Sequence, residues 1–511
     1  VDMIILTEGT YTLTLSGADE DAAQTGDLDI TRGVTIMGRG DSTVIDASAL
    51  GDRVFESFGA IDVTFANVVI KGGAAADGGG LMNRGSKVTI TESIFTEHVA
   101  NGASGSGGAI FNADGGVVTI NDSMLSSNRA NRAGGAIEDA SGPGMGIILT
   151  NVELISNNAG LAPAMAAPGN GGAVHITGPG DITITGGSSM ENVAAREGGA
   201  LWNGAGIMTV TNHEISSNHA HGNAADDGGG GLFNNGGTVV ANGVMMANNT
   251  ALGTSGSGGG LFSTAGSVTI AGGAIANNRA NRAGGGIEII AGALTVTDSE
   301  IFENVAGPED TAAPGNGGAL HVSGAATVQF DSTMIARNRA AREGGGLWNQ
   351  AGTTMTLLDS TLANNIASGP AADDGGGALF NNGGTLIVTN SHLDSNIADG
   401  ASGSGGGVFN NTGGVLEMTD TQIVNNRANR AGGGIEDNLN GNNVGVDPAI
   451  ASPGNGGGLH ITGLGDATIT GGTVSNNVAA REGGGLWNGG GSMTILDAEI
   501  LGNTAHGSEA H

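Results

Sequence analysis

One short pattern returns fifteen times along the chain: Gly-Gly, a small residue, an aliphatic residue, then a residue that varies. The aliphatic anchors are Leu81, Ile110, Ile137, Val174, Leu201, Leu232, Leu261, Ile287, Leu320, Leu347, Leu379, Val408, Ile435, Leu459 and Leu486, spaced 24 to 37 residues apart. Self-similarity at such a period means stacked units, each too small to bury its own apolar face. An array of this kind grows in one dimension without a new core, so the length of 511 residues does not imply several domains.

The residue after each anchor carries a second, longer period. In order it is Met82, Phe111, Glu138, His175, Trp202; then Phe233, Phe262, Glu288, His321, Trp348; then Phe380, Phe409, Glu436, His460, Trp487. The word Phe-Phe-Glu-His-Trp occurs three times, with Met in place of the first Phe once. The flanks repeat with it. Arg-Ala-Gly-Gly precedes the Glu (Arg132, Arg282, Arg430), Pro-Gly-Asn-Gly-Gly the His (Pro168, Pro314, Pro453), and Arg-Glu-Gly-Gly the Trp (Arg196, Arg342, Arg481). The chain therefore divides into less regular coils over 1–76 and three five-coil blocks, 77–222, 223–369 and 370–511, in one continuous domain.

Between anchors lies a strand-like run with period-two alternation, such as Val88-Thr89-Ile90-Thr91. An aliphatic-x-x-Asn-x-Ala element follows, with Asn128, Asn157, Asn192, Asn218, Asn249, Asn278, Asn304, Asn338, Asn365, Asn396, Asn426, Asn477 and Asn503; His98 takes this place in the first unit. Asn tolerates left-handed backbone, and stacked amides form ladders. Before the blocks, Ile4-Ile5-Leu6, Tyr11 to Leu15, Val34-Thr35-Ile36 and Val63-Thr64-Phe65 read as strands of about three starting coils. Between Ile435 and Leu459 both the Thr strand and the Asn element are missing, which predicts a contracted or irregular coil.

Short strands, no helical period and these unit lengths specify an all-β chain: a single-stranded parallel β-helix, or β-solenoid, of about 17–18 coils. A propeller is excluded, because the units are too short for four-stranded blades and too many to close a ring of ~4–8. At ~4.8 Å per rung the expected rod is on the order of 80 Å long. The 100 glycines and 3 % aromatics suit a thin aliphatic core. The net charge of −32 offers no basic patch for nucleic acid or anionic membrane. No apolar run reaches the length of a membrane span. There is no cysteine, and a start at Val1 reads as a processed or trimmed form.

The Gly-Gly-Ala-Ile signature and the Asn element resemble the repeats of chlamydial polymorphic outer-membrane proteins. The start, from Ile4 through Gly9-Thr10-Tyr11-Thr12-Leu13-Thr14-Leu15, resembles the β-helical passengers of bacterial CSLREA-domain and choice-of-anchor surface proteins. The resemblance covers nearly the whole chain. It implies a right-handed β-helix that is extracellular or at the cell surface, and it implies no shared catalytic site. One departure is that the Phe-x-x-Asn of the chlamydial repeat is mostly Ile/Leu-x-x-Asn here.

Strand alternation points the anchor inward and so places the variable column outside; buried Glu and His would be costly. The simpler account of the column is a duplicated block whose face packs on loops or on a neighbouring molecule. The functional account is a glycan-binding face, with aromatic rings for sugars and Glu and His as polar clamps. Asp226-Asp227 and Asp373-Asp374 open later blocks, one rung from Arg196 and Arg342. A surface ion-pair ladder is the plain reading, and a Ca²⁺ site the sharper one; no other cofactor is indicated. A polysaccharide lyase or hydrolase needs one local cluster of catalytic groups, whereas the acids here recur with the block. Thr-x-Thr strands suited to ice are interrupted, as at Val239-Val240-Ala241 and Thr327-Val328-Gln329. The expectation is a non-catalytic structural or adhesive protein that stacks head-to-tail into a fibre. Its motive is that Asn503-Thr504-Ala505-His506-Gly507 matches Asn218-His219-Ala220-His221-Gly222, after which a new block begins.

Overall fold

The computed structural model describes residues 2–17, 24–160, 167–307, 314–411, 413–438, 456, 458–462, 466–479, 482–489 and 492–505. Among these residues there are strands and turns but no helix. The chain forms two compact units, Val1–Asn223 with Asp227–Gly253, and Ala224–Asp226 with Thr254–His511. Each is a parallel β-solenoid.

The coil that starts at Leu81 shows the plan. Its four strands are Leu81–Arg84, Lys87–Thr91, Ile94–Thr96 and Val99–Ala100. Each pairs in parallel with its counterpart in the next coil: Leu81 with Ile110, Val88 with Val118, Phe95 with Leu125, Ala100 with Ala130. Leu81, Val88, Ile90, Phe95 and Ala100 point inward and are buried, while Thr89 and Thr91 stay partly exposed. In the first unit the anchors stack as Phe55, Leu81, Ile110, Ile137, Val174, Leu201 and Leu232. In the second they stack from Leu261 through Ile287, Leu320, Leu347, Leu379, Val408, Ile435 and Leu459 to Leu486. The strands expected before the blocks are present at Asp2–Ile5, Gly9–Thr12, Val34–Met37 and Asp62–Ala66.

The Gly-Gly run has a steric cause. Gly107 has φ of +63°, and a Cβ there would lie 2.3 Å from the Ile110 carbonyl oxygen. A Cβ on Gly108 would lie 2.1 Å from the Gly135 carbonyl oxygen of the next coil. Only glycine permits both the left-handed turn and the close stacking of coil on coil.

The Asn element forms the ladder that its spacing predicts. In the first unit Asn128, Asn157, Asn192, Asn218 and Asn249 are linked, each backbone N–H and each Nδ2 donating to the Oδ1 of the next at 2.9–3.1 Å. Nδ2 also donates to a strand carbonyl of the preceding coil, as from Asn128 to Phe95 at 3.1 Å. In the second unit the same links join Asn278, Asn304, Asn338, Asn365, Asn396 and Asn426, and Asn477 to Asn503. A mid-ladder amide thus accepts two bonds and donates two, its full capacity. His98 does the same work with a ring: Gly73 N–H donates to Nδ1 at 3.1 Å, and Nε2 meets the Ile70 carbonyl at 3.0 Å. Burial holds this imidazole neutral, with its pKa lowered to about 4. The left-handed residue is the one before the ladder Asn (Ser127, Ser156, Ser217, Asn364), not the ladder Asn itself.

The expected contraction is visible in the pairing. Ile435 pairs with Leu459, yet Glu417 pairs directly with Thr468 and Gln422 with Thr473. Asn477 Nδ2 accordingly reaches the Ile423 carbonyl, at 3.4 Å. The segment 439–455 lies outside the described residues.

The pair Asn364-Asn365 separates the two roles. Asn365→Ala leaves the Ile335 carbonyl, the Asn396 amide oxygen and the Asn338 donors short of partners in a dry site. Its expected cost is roughly 2–4 kcal/mol. Asn364→Gly, at an exposed position with φ of +57°, changes stability by less than about 0.5 kcal/mol. Urea unfolding of the two variants checks the contrast.

Candidate functional site

The variable column is in register through each unit. The first unit stacks Met82, Phe111, Glu138, His175, Trp202 and Phe233. The second stacks Phe262, Glu288, His321, Trp348, Phe380, Phe409, Glu436, His460 and Trp487. The side chain of Glu436 lies outside the described residues.

The outward placement of this column is corrected by burial. Alternation does turn these side chains away from the anchors, but the loop ending in Gly-Gly folds back over them. A Cβ on Gly171 would meet His175 Cβ at 2.9 Å, and one on Gly198 would meet Trp202 Cβ at 3.2 Å. Glu138 is 1 % exposed, His175 3 % and Trp202 8 %; Glu288, His321, Trp348, Phe262, Phe380 and Phe409 are equally covered. Phe111 and Trp487 are half-buried. The column is a second, thin core between the sheet and its loops.

Its polar members satisfy one another. His175 Nδ1 lies 2.9 and 3.1 Å from the two Glu138 oxygens, and Thr177 Oγ1 donates to the same carboxylate. The imidazole stacks on Trp202 at 4.2 Å and 22°, and the indole is parallel to Phe233 at 6.2 Å. The second unit repeats the set. His321 Nδ1 sits 2.9 and 3.1 Å from Glu288, with Ser323 Oγ in the hydroxyl role at 2.6 Å. The stack then runs His321, Trp348, Phe380, Phe409 at 4.3, 6.3 and 4.9 Å. A further copy retains His460 against Trp487 at 4.4 Å.

Each indole is tied to its loop by the Glu of Arg-Glu-Gly-Gly, a role the sequence motif held without disclosing it. Trp202 Nε1 donates to Glu197 at 3.0 Å, Trp348 Nε1 to Glu343 at 2.9 Å, and Trp487 Nε1 to Glu482 at 3.0 Å. The Asn of Pro-Gly-Asn-Gly-Gly donates to the same oxygen, from Asn170 at 2.9 Å and Asn316 at 2.8 Å. Arg196 pairs with Asp227 and Arg342 with Asp374, both at 2.7 Å. The arginines before the Glu coils hold the preceding loop: Arg132 donates to Ser106, Arg282 to Ser257 and Arg430 to Ser404 at 3.1–3.2 Å.

Asp227 and Asp374 are thus held by arginine, and Asp226 and Asp373 are exposed. Among the described residues, one group of three metal-capable side chains does converge: Asp27, Asp29 and Glu56. No family model matches the sequence, and no curated protein matches it.

Burial raises Glu197, against the Trp202 N–H, and pushes Glu343 up to about 7, again chiefly by burial and with Asp374 adding to the rise. The ordinary value is 4.5. An acid raised by folding favours the fold when protonated, so its contribution is complete below about 4.5 and is lost as pH rises through about 7. Glu343→Gln keeps an acceptor for Trp348 and Asn316 and removes the titration. Between pH 5 and 8 the melting temperature of the parent is expected to fall further than that of the variant, as read by near-ultraviolet circular dichroism.

Proposed function

We propose that the chain is a non-catalytic structural and adhesive β-solenoid that works outside the cell or at its surface. The observation that carries this reading is the fate of the repeated word. Its acid, base and aromatic groups are buried, paired with one another and closed off by loops. General acid–base work needs a group within reach of a substrate proton, and sugar binding needs an open aromatic face. The resemblance to extracellular β-helical passengers supports the location.

Self-association belongs to the same proposal. Within each unit the last coil of one block already docks on the first coil of the next, Leu201 on Leu232 and Leu347 on Leu379. A junction between two molecules would use the same parallel ladder, and a heterologous contact of that kind extends into filaments.

The experiment compares Glu288→Ala and His321→Ala with the parent on three readouts. Breaking a buried pair is expected to cost about 3–5 kcal/mol, seen as a lower unfolding midpoint. Binding to a polysaccharide array and concentration-dependent light scattering should not change while the variants are folded. Depolymerisation of any polysaccharide by the parent, abolished in these variants at a temperature where they remain folded, overturns the reading. A parent that stays monomeric at high concentration removes the filament.

A further inference from the structure

The second unit carries arginines in one outward column. Arg279, Val305, Arg339, Ile366, Ile397 and Arg427 stand level in six successive coils, each just before the buried Ala of the last short strand. The three arginines are exposed, and the aliphatic residues between them are half-buried. Among the described residues, none of these three guanidinium groups makes an ion pair or a side-chain hydrogen bond. Arg337, two residues before Arg339, is by contrast spent on Glu303 at 2.8 Å. Cations without a partner stand out in a chain with 17 Lys and Arg against 49 Asp and Glu.

A matching set of anions lies at a different turn of the same coils. Asp298, Ser332, Asp359, Asn390 and Asp420 hold one turn position, each with φ between +47° and +51°. The strands before them keep these residues level from coil to coil. The three aspartates are exposed and recur at every second coil. Arg279 and Arg339 are also two coils apart. Two rungs make about 9.6 Å, so both sets share one axial period. In the strand that follows this turn Glu300 pairs with Met334, which is 37 % exposed. The turn thus offers an acid, an apolar residue beside a neutral one, and an acid, where the column offers a guanidinium, Val305 and a guanidinium.

We propose that these two faces dock on each other between copies of the chain, side by side. Arg279 and Arg339 of one copy meet Asp298 and Asp359 of a second, with Val305 against Met334. Guanidinium–carboxylate contacts are directional and can be bidentate. Complementary charge fixes register and partner choice more than raw affinity, which suits a weak contact repeated along a stack. A second copy fits better than a free polyanion, because the partner must repeat at two rungs and this chain's own turn does. Repulsion from the net charge of −32 is damped beyond about 8 Å at about 0.15 M salt, while close pairs persist. The contact is heterologous. Each copy retains one unused face of each sign, so the association propagates sideways. It goes beyond the end-to-end junction proposed above and does not depend on it.

The test is charge exchange in the full chain, read by sedimentation velocity and negative-stain microscopy at about 0.15 M salt. The parent is expected to associate side by side. Arg279→Glu/Arg339→Glu and Asp298→Arg/Asp359→Arg are each expected to weaken that association by about tenfold or more. An equimolar mixture of the two restores it, since each variant keeps the face that the other has lost. If Asp298→Arg/Asp359→Arg does not fold, Asp298→Asn/Asp359→Asn removes the charge with a residue that the same turn already holds at Asn390, and the same loss is expected. Neither change touches an end-to-end junction, so loss of filament width without loss of length isolates this contact. A parent without side-by-side association overturns the proposal. So does association that survives both reversals, or a mixture that stays apart. Polygalacturonate bound through Arg279 and Arg339 by a parent that does not pair with itself overturns it in favour of a polyanion.

Discussion

A coil that reverses direction several times in 24 to 37 residues buries peptide groups at corners where no strand can serve them. Each such group costs about 1–3 kcal/mol if left without a partner. The Asn ladder meets this constraint, and the rest of the coil is arranged around it. Its amide binds the backbone of the coil below and accepts from the Asn beneath it, so one side chain per coil satisfies a corner and sets the rung spacing together. A second, shorter ladder treats the first corner in the same way. Asn83 Oδ1 accepts from Ser86 N–H at 3.0 Å, Asn83 Nδ2 donates to Asn112 at 2.7 Å, and Asn112 donates to Asp139 at 2.8 Å. Asn349, Asn381 and Asn410 repeat it in the second unit.

Much of this was legible because the repeat samples each position many times. The anchors, the Thr strands, the Asn ladder and the skipped strands after Ile435 all follow from spacing alone. Even His98 could be placed, although its use of two ring nitrogens in place of one amide could not. The second ladder has a sequence signal of its own, aliphatic-x-Asn after Gly-Gly, as in Leu81-Met82-Asn83 and Ile110-Phe111-Asn112. The coils over 1–76 carry a weaker signal, since Arg53-Val54-Phe55-Glu56 has no Gly-Gly to announce an anchor.

The side on which the column is covered was not legible, for a physical reason. Alternation assigns a side chain to one of two faces; it does not say what lies over that face. The cost of burying Glu and His argued for exposure, and that cost is real for an unpaired group. Here the charge on Glu138 is met by His175 and Thr177 one coil away, a partner that only the stacked register supplies. Pairing between coils, invisible in any single repeat, reverses the sign of the argument.

Replacing a buried ion pair by apolar groups is often neutral or stabilising, so the Glu–His pair is poorly explained as a source of stability. Its effect on register is larger. In a solenoid of near-identical rungs, a slip by one coil leaves the aliphatic core and the Asn ladder almost unchanged. The same slip in the column sets Glu138 at the level of Trp202, removes its imidazole and hydroxyl partners, and leaves a desolvated carboxylate against an indole face. It also separates Asn170, one coil away, from the Glu197 oxygen that holds the Trp202 indole. The aliphatic core tells the chain to stack; the column, with its fixed order of Glu, His and Trp in each block, tells each coil which neighbour to stack upon.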